Sequence, residues 1–207
     1  MYIKVLNFNL GGGARLSLSC PHCGHQGTFE PLQNITDVNV GHLWLGQRKC
    51  PNPQCYGHLF CIYEGNGNVL RSYPALRIDF DPKNIPERIA KTLAEALVCH
   101  AEQCFVASAI MIRRTLEELC EDKKAQGDTL KERLQSLRSA VVLPNELFVA
   151  MDELRLLGND AAHIEAKTYN SIGREEIEAG ISLTKEILKA VYQLDDLVKK
   201  LQALKNQ

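Results

Sequence analysis

An α+β fold is predicted, with a small β domain over residues 1–78 followed by an all-helical bundle over residues 79–207. Three observations predict it. Two close cysteine pairs, Cys20-x2-Cys23 and Cys50-x4-Cys55, lie among short β-prone runs. The segment Asp79-Phe-Asp-Pro-Lys-Asn-Ile-Pro86 has the prolines and polar residues of a linker. Beyond it, apolar residues recur at helical spacing almost to the last residue.

In chain order, residues 2–10 are β-prone and end in the turn Gly11-Gly12-Gly13. Leu16 and Leu18 alternate with polar residues into the first cysteine pair. Thr28-Phe29 and a run near Ile35–Val40 follow, and His42–Lys49 leads into the second pair. Strands at 58–64 and 69–73 are joined by Glu64-Gly-Asn-Gly-Asn68, a hairpin signal. After the linker, Pro86 opens a helix whose Ile89, Leu93, Leu97, His100, Cys104, Ser108, Met111 and Leu119 follow helical spacing. That stretch is one long helix or two, broken near His100–Gln103. Asp128 is a candidate cap for a short helix over Leu130–Ala140. Pro144 opens the next helix, and Gly173-Arg174 precede a last one reaching about Lys205. Ile187, Val191, Leu194, Val198 and Leu201 there form a two-heptad seam, which must pack in the bundle or against a second subunit. The helix count is therefore four or five.

The chain has 207 residues, 45% hydrophobic and 24% charged, in the range of a globular protein and against disorder. Net charge is −1, split as six Lys/Arg against four Asp/Glu in residues 1–80 and eighteen against twenty-one in 81–207. Neither part is a basic tail, so charge alone does not demand nucleic acid. No run approaches transmembrane length, so no membrane role is expected. The first ten residues read as a strand rather than a signal peptide, and eight cysteines then fit reduced thiols and a metal site in the cytoplasm.

The cysteine pairs are the strongest chemical signal. Twenty-six residues separate them, and each lies in a turn context with Pro and Gly. Two such turns meeting face to face supply the four soft ligands of a tetrahedral zinc site, as in a zinc ribbon. Cys20, Cys23, Cys50 and Cys55 are the expected ligands of a structural Zn2+, with His22, His25, His58 and Cys61 open as substitutes for one of them. Arg15, Arg48, Lys49, Arg71 and Arg77, with Trp44, Tyr56 and Phe60, are a candidate nucleic-acid surface. The favoured reading of the same residues is a small domain whose aromatics make its core and whose charges keep it solvated, since the net excess is only two charges.

On the Pro144 helix, Leu147, Met151, Leu154, Gly158 and Ala161 share the expected core face. Asp152, Arg155, Asn159 and His163 make a polar stripe on the other side, where Phe148, Val149 and Leu156 also fall. Gly158 marks either close approach of another chain segment or a helix end. The bland reading of His163 is a hydrogen bond to Asp160, Glu117 or Glu118, and of Arg113 and Glu117 an i,i+4 ion pair.

Met111-Ile-Arg-Arg-Thr-Leu-Glu-Glu-Leu119, together with Leu154-Arg155-x-x-Gly158-Asn159-x-x-Ala162-His163, resembles the domain of unknown function 4145 family over about residues 80–205. That family is similar in turn to the HEPN helical domains, many of them dimeric ribonucleases of defence systems. The resemblance implies a HEPN-like bundle behind a cysteine-rich module. In a HEPN nuclease the site is Arg, a polar residue, three more residues and His. Asn159 and His163 match the last two, Gly158 stands where the arginine would, and Arg155 lies one turn earlier. The resemblance thus offers His163, Asn159 and Arg155 as catalytic candidates, with Arg113, Arg114 and Glu117 as binding candidates. The expectation adopted is a zinc-containing binding or adaptor protein, linked to nucleic-acid metabolism or phage defence, without strong intrinsic catalysis. A metal-independent ribonuclease using His163 is the alternative. Expected partners are a second copy, through the helical half, and RNA or a defence-system protein.

Overall fold

The structure, a computed structural model, describes residues 7–76, 78–163, 168–169 and 171–204. It divides into two units, Met1–Asp79 and Phe80–Gln207. The expected first strand lies partly outside the described residues, as does Arg77. The fold is α+β: the described residues form seven antiparallel strands, then six α-helices.

The strands are β1 (Asn9–Gly11), β2 (Leu16–Ser19), β3 (Gln26–Phe29), β4 (Asp37–Val40), β5 (Leu43–Lys49), β6 (His58–Glu64) and β7 (Val69–Tyr73). They make a five-stranded sheet in the order β1-β4-β5-β6-β7 and a separate hairpin, β2-β3. Between β5 and β6, Trp44 lies opposite Tyr63, Gly46 opposite Cys61 and Arg48 opposite Leu59. With a side-chain period of two, these six residues share one face. Leu59, Cys61 and Tyr63 of that face are buried in one cluster with Leu16 and Phe29 of the hairpin and with Cys20 and Cys50. The unit is small and its core correspondingly so.

The helices are α1 (Glu87–Ala101), α2 (Phe105–Asp122), α3 (Leu130–Ala140), α4 (Asn145–Ala162), α5 (Arg174–Leu188) and α6 (Leu194–Ala203), with a five-residue π-turn, Lys189–Gln193, joining the last two. The long apolar stretch after Pro86 is two helices. The Gln103 amide donates to His100 and the Cys104 amide to Cys99, at 2.9 and 2.8 Å, with Gln103 at φ 63. This is the paired hydrogen bonding of a Schellman ending, with Gln in the place usually taken by Gly. The break resets the helical register, so two expected core positions are corrected: Cys104 is exposed and Met111 half-buried, while Ile112 and Leu116 are fully buried. Thr129, not Asp128, caps α3. Its hydroxyl accepts from the Glu132 amide at 3.3 Å, and Glu132 Oε2 accepts from the amides of Thr129 and Asp128 at 3.0 and 2.9 Å. The Thr129 and Asp128 amides, with the Thr129 hydroxyl, hold the Glu132 carboxyl below its usual pKa.

Leu93, Ile112, Leu116, Met151, Ile177 and Ile181 are among the buried residues of the bundle. Glu118 is buried with them, accepting from Thr92 Oγ1 at 2.8 Å and from Nε of Arg88 and of Arg114, each at 3.2 Å. The seam from Ile187 to Leu201 is not continuous. Ile187 is fully buried, whereas Leu194, Val198 and Leu201 are exposed. The π-turn accommodates an additional residue and rotates the apolar face beyond it. Among the described residues, no helix is long and apolar enough to cross a membrane.

Candidate functional site

Each cysteine pair sits at the end of a β-hairpin, where the chain reverses between strands. Between β2 and β3, the Cys20 amide donates to His25 O and the Gly24 amide to Cys20 O, both at 2.9 Å. Gly24 has φ 73, a conformation that glycine adopts without Cβ strain. Between β5 and β6, the Cys50 amide donates to Gly57 O at 2.8 Å and the Cys55 amide to Asn52 O at 3.0 Å. The two turns face each other and bring four sulfurs together.

Cys20 Sγ lies 3.8 Å from Cys55 Sγ, and Cys23 Sγ lies 3.8 Å from Cys50 Sγ. All four sulfurs are within 4.8 Å of one another. Thiolates about 2.3 Å from a central ion at tetrahedral angles stand about 3.8 Å apart, so the spacing fits a four-sulfur metal site. Amides are already aimed at the sulfurs: His22 N–H to Cys20 and Gly57 N–H to Cys55, each at 3.4 Å. The Asn52 side-chain amide reaches Cys23 Sγ at 3.7 Å. The His25 amide, above all, lowers the Cys23 thiol to about 7, while burial pushes the Cys50 thiol up to about 12. The four thiols can therefore bind a metal ion. His22 is committed elsewhere, its Nε2 lying 3.0 Å from His58 O and its ring packed over Gly57, where a Cβ would fall 2.2 Å from the ring. Cys61 is fully buried, and burial pushes its thiol up to about 11. Among the described residues, the group that gathers is the four expected cysteines.

The basic and aromatic residues around this centre are not one surface. Arg48 is fully buried, a correction to its place in the candidate nucleic-acid surface. Its Nη1 and Nη2 meet Asp37 Oδ1 and Oδ2 at 3.2 and 2.7 Å, and Nη2 also donates to Ala14 O at 2.7 Å. The Tyr63 hydroxyl donates to Asp37 and receives the Ala14 amide at 3.2 Å. Burial works against the Arg48 charge, yet the Asp37 hydrogen bonds hold its pKa above the ordinary value. Gly46 admits Asp37 to this place, since a Cβ there would fall 2.0 Å from Oδ1. The sequence reading missed this network. The available signal was period two: Trp44, Gly46 and Arg48 fall on one side of a strand. Lys49 and Tyr56 do lie at the surface, the ammonium 4.3 Å from the ring centroid.

In the helical unit, Gly158 marks a close approach and not a helix end. It lies inside α4 against Arg113 of α2, where an added Cβ would come within 2.4 Å of Arg113 Cβ. Arg113 Nη1 then donates to Arg155 O at 3.2 Å. The polar candidates hold one another. Arg155 Nε donates to Asp152 at 2.7 Å, Arg113 pairs with Glu117 at 3.1 Å, and Arg114 with Glu118 at 3.2 Å. Arg88, Arg113 and Arg114, with Glu117, Glu118 and Glu121, line a cleft of about 410 Å³ whose edge includes Ala162. His163 is the residue at which α4 stops, with φ −130 and ψ 117, and it is exposed. Its amide donates to Asn159 O at 3.0 Å. Among the described residues, Asp160 Oδ2 accepts from the Tyr169 amide at 2.6 Å while its Oδ1 is buried without a partner, and Glu117 and Glu118 serve the arginines. A buried histidine bond is thus replaced by a solvent-facing ring.

A protein-family model described as a domain of unknown function (DUF4145) matches residues 94–206, just over half of the chain. No curated protein and no solved structure matches.

Proposed function

Since the chain belongs to the domain of unknown function 4145 family, we propose that it is a zinc-containing binding or adaptor protein acting in nucleic-acid metabolism or phage defence, without strong intrinsic catalysis. The observation that carries this reading is the four-sulfur cluster, with Cys20, Cys23, Cys50 and Cys55 all within 4.8 Å of one another. An all-thiolate set of four favours zinc among common metals and leaves no open coordination position for substrate. Zinc held there supplies folding free energy to a unit with a small core, and no chemistry on a substrate.

The arginines of the helical half support binding over catalysis. Arg113, Arg114 and Arg155 each carry a carboxylate partner from their own helix. A phosphate in flight would have to displace that partner before a guanidinium stabilised it. On the ribbon unit, the exposed Tyr56 with Lys49 over its ring offers a stacking and charged contact suited to RNA.

The test is an RNA-cleavage assay in buffer without added divalent metal or chelator, run on wild type and on His163→Ala, with folding checked by circular dichroism. We expect intact RNA in both. Cleavage by wild type that is lost in a folded His163→Ala protein would replace this reading with the metal-independent ribonuclease.

A further inference from the structure

We propose that Cys99 and Cys104 are a redox-active dithiol, which closes a reversible disulfide across the α1–α2 turn by exchange with a small-molecule disulfide. The inference is independent of the metal and of the adaptor reading. It starts from what the other six of the eight cysteines do. Four gather as the sulfur cluster of the ribbon unit, and Cys61 and Cys120 are fully buried. Cys99 and Cys104 remain, the first half-buried and the second exposed.

The turn sets these two against each other. Glu102 caps α1, so Cys99 lies three residues before the cap and Cys104 two after it. The Cys104 amide donates to Cys99 O at 2.8 Å, the outer bond of the Schellman ending. Such an ending frequently brings the side chains of these two positions into contact, where apolar residues usually meet. Here both are cysteine. The same hydrogen bond, through the covalent geometry on either side of it, keeps the two Cα atoms within about 6.7 Å of each other. A disulfide bridges that span without backbone movement. The electrostatics agree: burial first, then Cys104 and Glu95, push the Cys99 thiol above its ordinary pKa.

The neighbours of both cysteines are anchored, so the pair is held in place. His100, beside Cys99, is buried with Nε2 3.2 Å from Glu178 Oε1. Phe105, beside Cys104, sets its ring centroid 6.0 Å from that of His100 and lies under the Arg174 guanidinium, 5.7 Å away. Arg174 Nη1 in turn donates to Glu178 Oε1 at 3.2 Å. Between the cysteines, Gln103 already holds the left-handed conformation that the turn needs. Two groups oriented in advance react as if highly concentrated.

Exposure assigns the steps. The Cys104 thiolate, open to solvent, attacks one sulfur of the oxidant and expels the other half as a thiol, leaving a mixed disulfide. The Cys99 sulfur then attacks Cys104 Sγ and expels the second thiol. Two electrons and two protons pass from the protein to the oxidant, and a reducing dithiol reverses both steps.

The test equilibrates the full chain in mixtures of reduced and oxidised glutathione, quenches with acid, alkylates free thiols and digests with trypsin. Residues 92–113 leave as one peptide that carries Cys99 and Cys104 and no other cysteine. We expect that peptide to become closed to alkylation and lighter by two hydrogens, and dithiothreitol to restore it. The disulfide should be at least about tenfold more stable in the folded chain than in the same chain in urea, an offset of about 30 mV. In Cys99→Ala, glutathione should remain on Cys104, with circular dichroism checking that the helix content is kept. Any of three results would overturn the proposal: a wild-type pair that stays reduced, glutathione retained on wild-type Cys104 without ring closure, or a disulfide no more stable in the folded chain than in urea.

Discussion

At the scale of single residues, the deepest commitment of charge is the Arg48–Asp37–Tyr63 set, buried to 1% or less. Removing one partner of a buried ion pair strands the other charge. Arg48→Met is therefore expected to lower the stability of the ribbon unit by about 3–5 kcal/mol in urea unfolding. Pairing it with Asp37→Leu should recover a large part of that loss; an equal loss in single and double variants would show that packing, not the stranded carboxylate, carries the cost. His163 presents the opposite case. Exposed at the end of α4, it has no buried bond to lose among the described residues, so His163→Ala should change the thermal unfolding of the bundle by no more than about 0.5 kcal/mol. Both residues show where the sequence was opaque. A charged side chain next to a cysteine turn reads as surface, because charged residues mostly are, and only the partner from another strand reveals otherwise. The four cysteines were legible because their spacing alone implies the turns that converge them.

Elements were legible where a local signal fixes them. The helix break near Gln103 was foreseen as an option, and Pro144 and Gly173 do lie at the starts of α4 and α5. The α3 cap was missed by one residue, since Asp128 and Thr129 are both good caps and only the bond to Glu132 separates them. Thr129→Ala should cost about 1 kcal/mol of bundle stability, while Asp128→Ala should cost far less. The α2–α4 contact gives a sharper expectation. Alanine favours a helix over glycine by roughly 1 kcal/mol, yet at position 158 its Cβ would lie 2.4 Å from Arg113 Cβ, an atom that moves only with its backbone. Gly158→Ala should therefore destabilise the bundle by about 1–2 kcal/mol net. A stabilised variant in thermal unfolding would mean that the two helices separate more easily than their packing implies. The π-turn had no such signal: heptad spacing continues through Val191 in the sequence, and the geometry interrupts it.

For the whole molecule, the two-part organisation follows from two different solutions to the same shortage of buried surface. The helical unit has length enough for a core drawn from five helices, α1 to α5. The described residues of the ribbon unit form seven short strands, and a sizeable part of its buried cluster is cysteine. Its integrity should then depend on metal, and that of the bundle should not. Chelation under reducing conditions is expected to unfold the ribbon alone, leaving the helical circular-dichroism signal largely in place. The most direct test of this account is the zinc content of freshly purified, reduced protein, measured beside Cys20→Ser. The account predicts about one zinc per wild-type chain and none in the variant, whose ribbon unit unfolds. A wild-type protein that carries no zinc and still holds its β unit folded would contradict it.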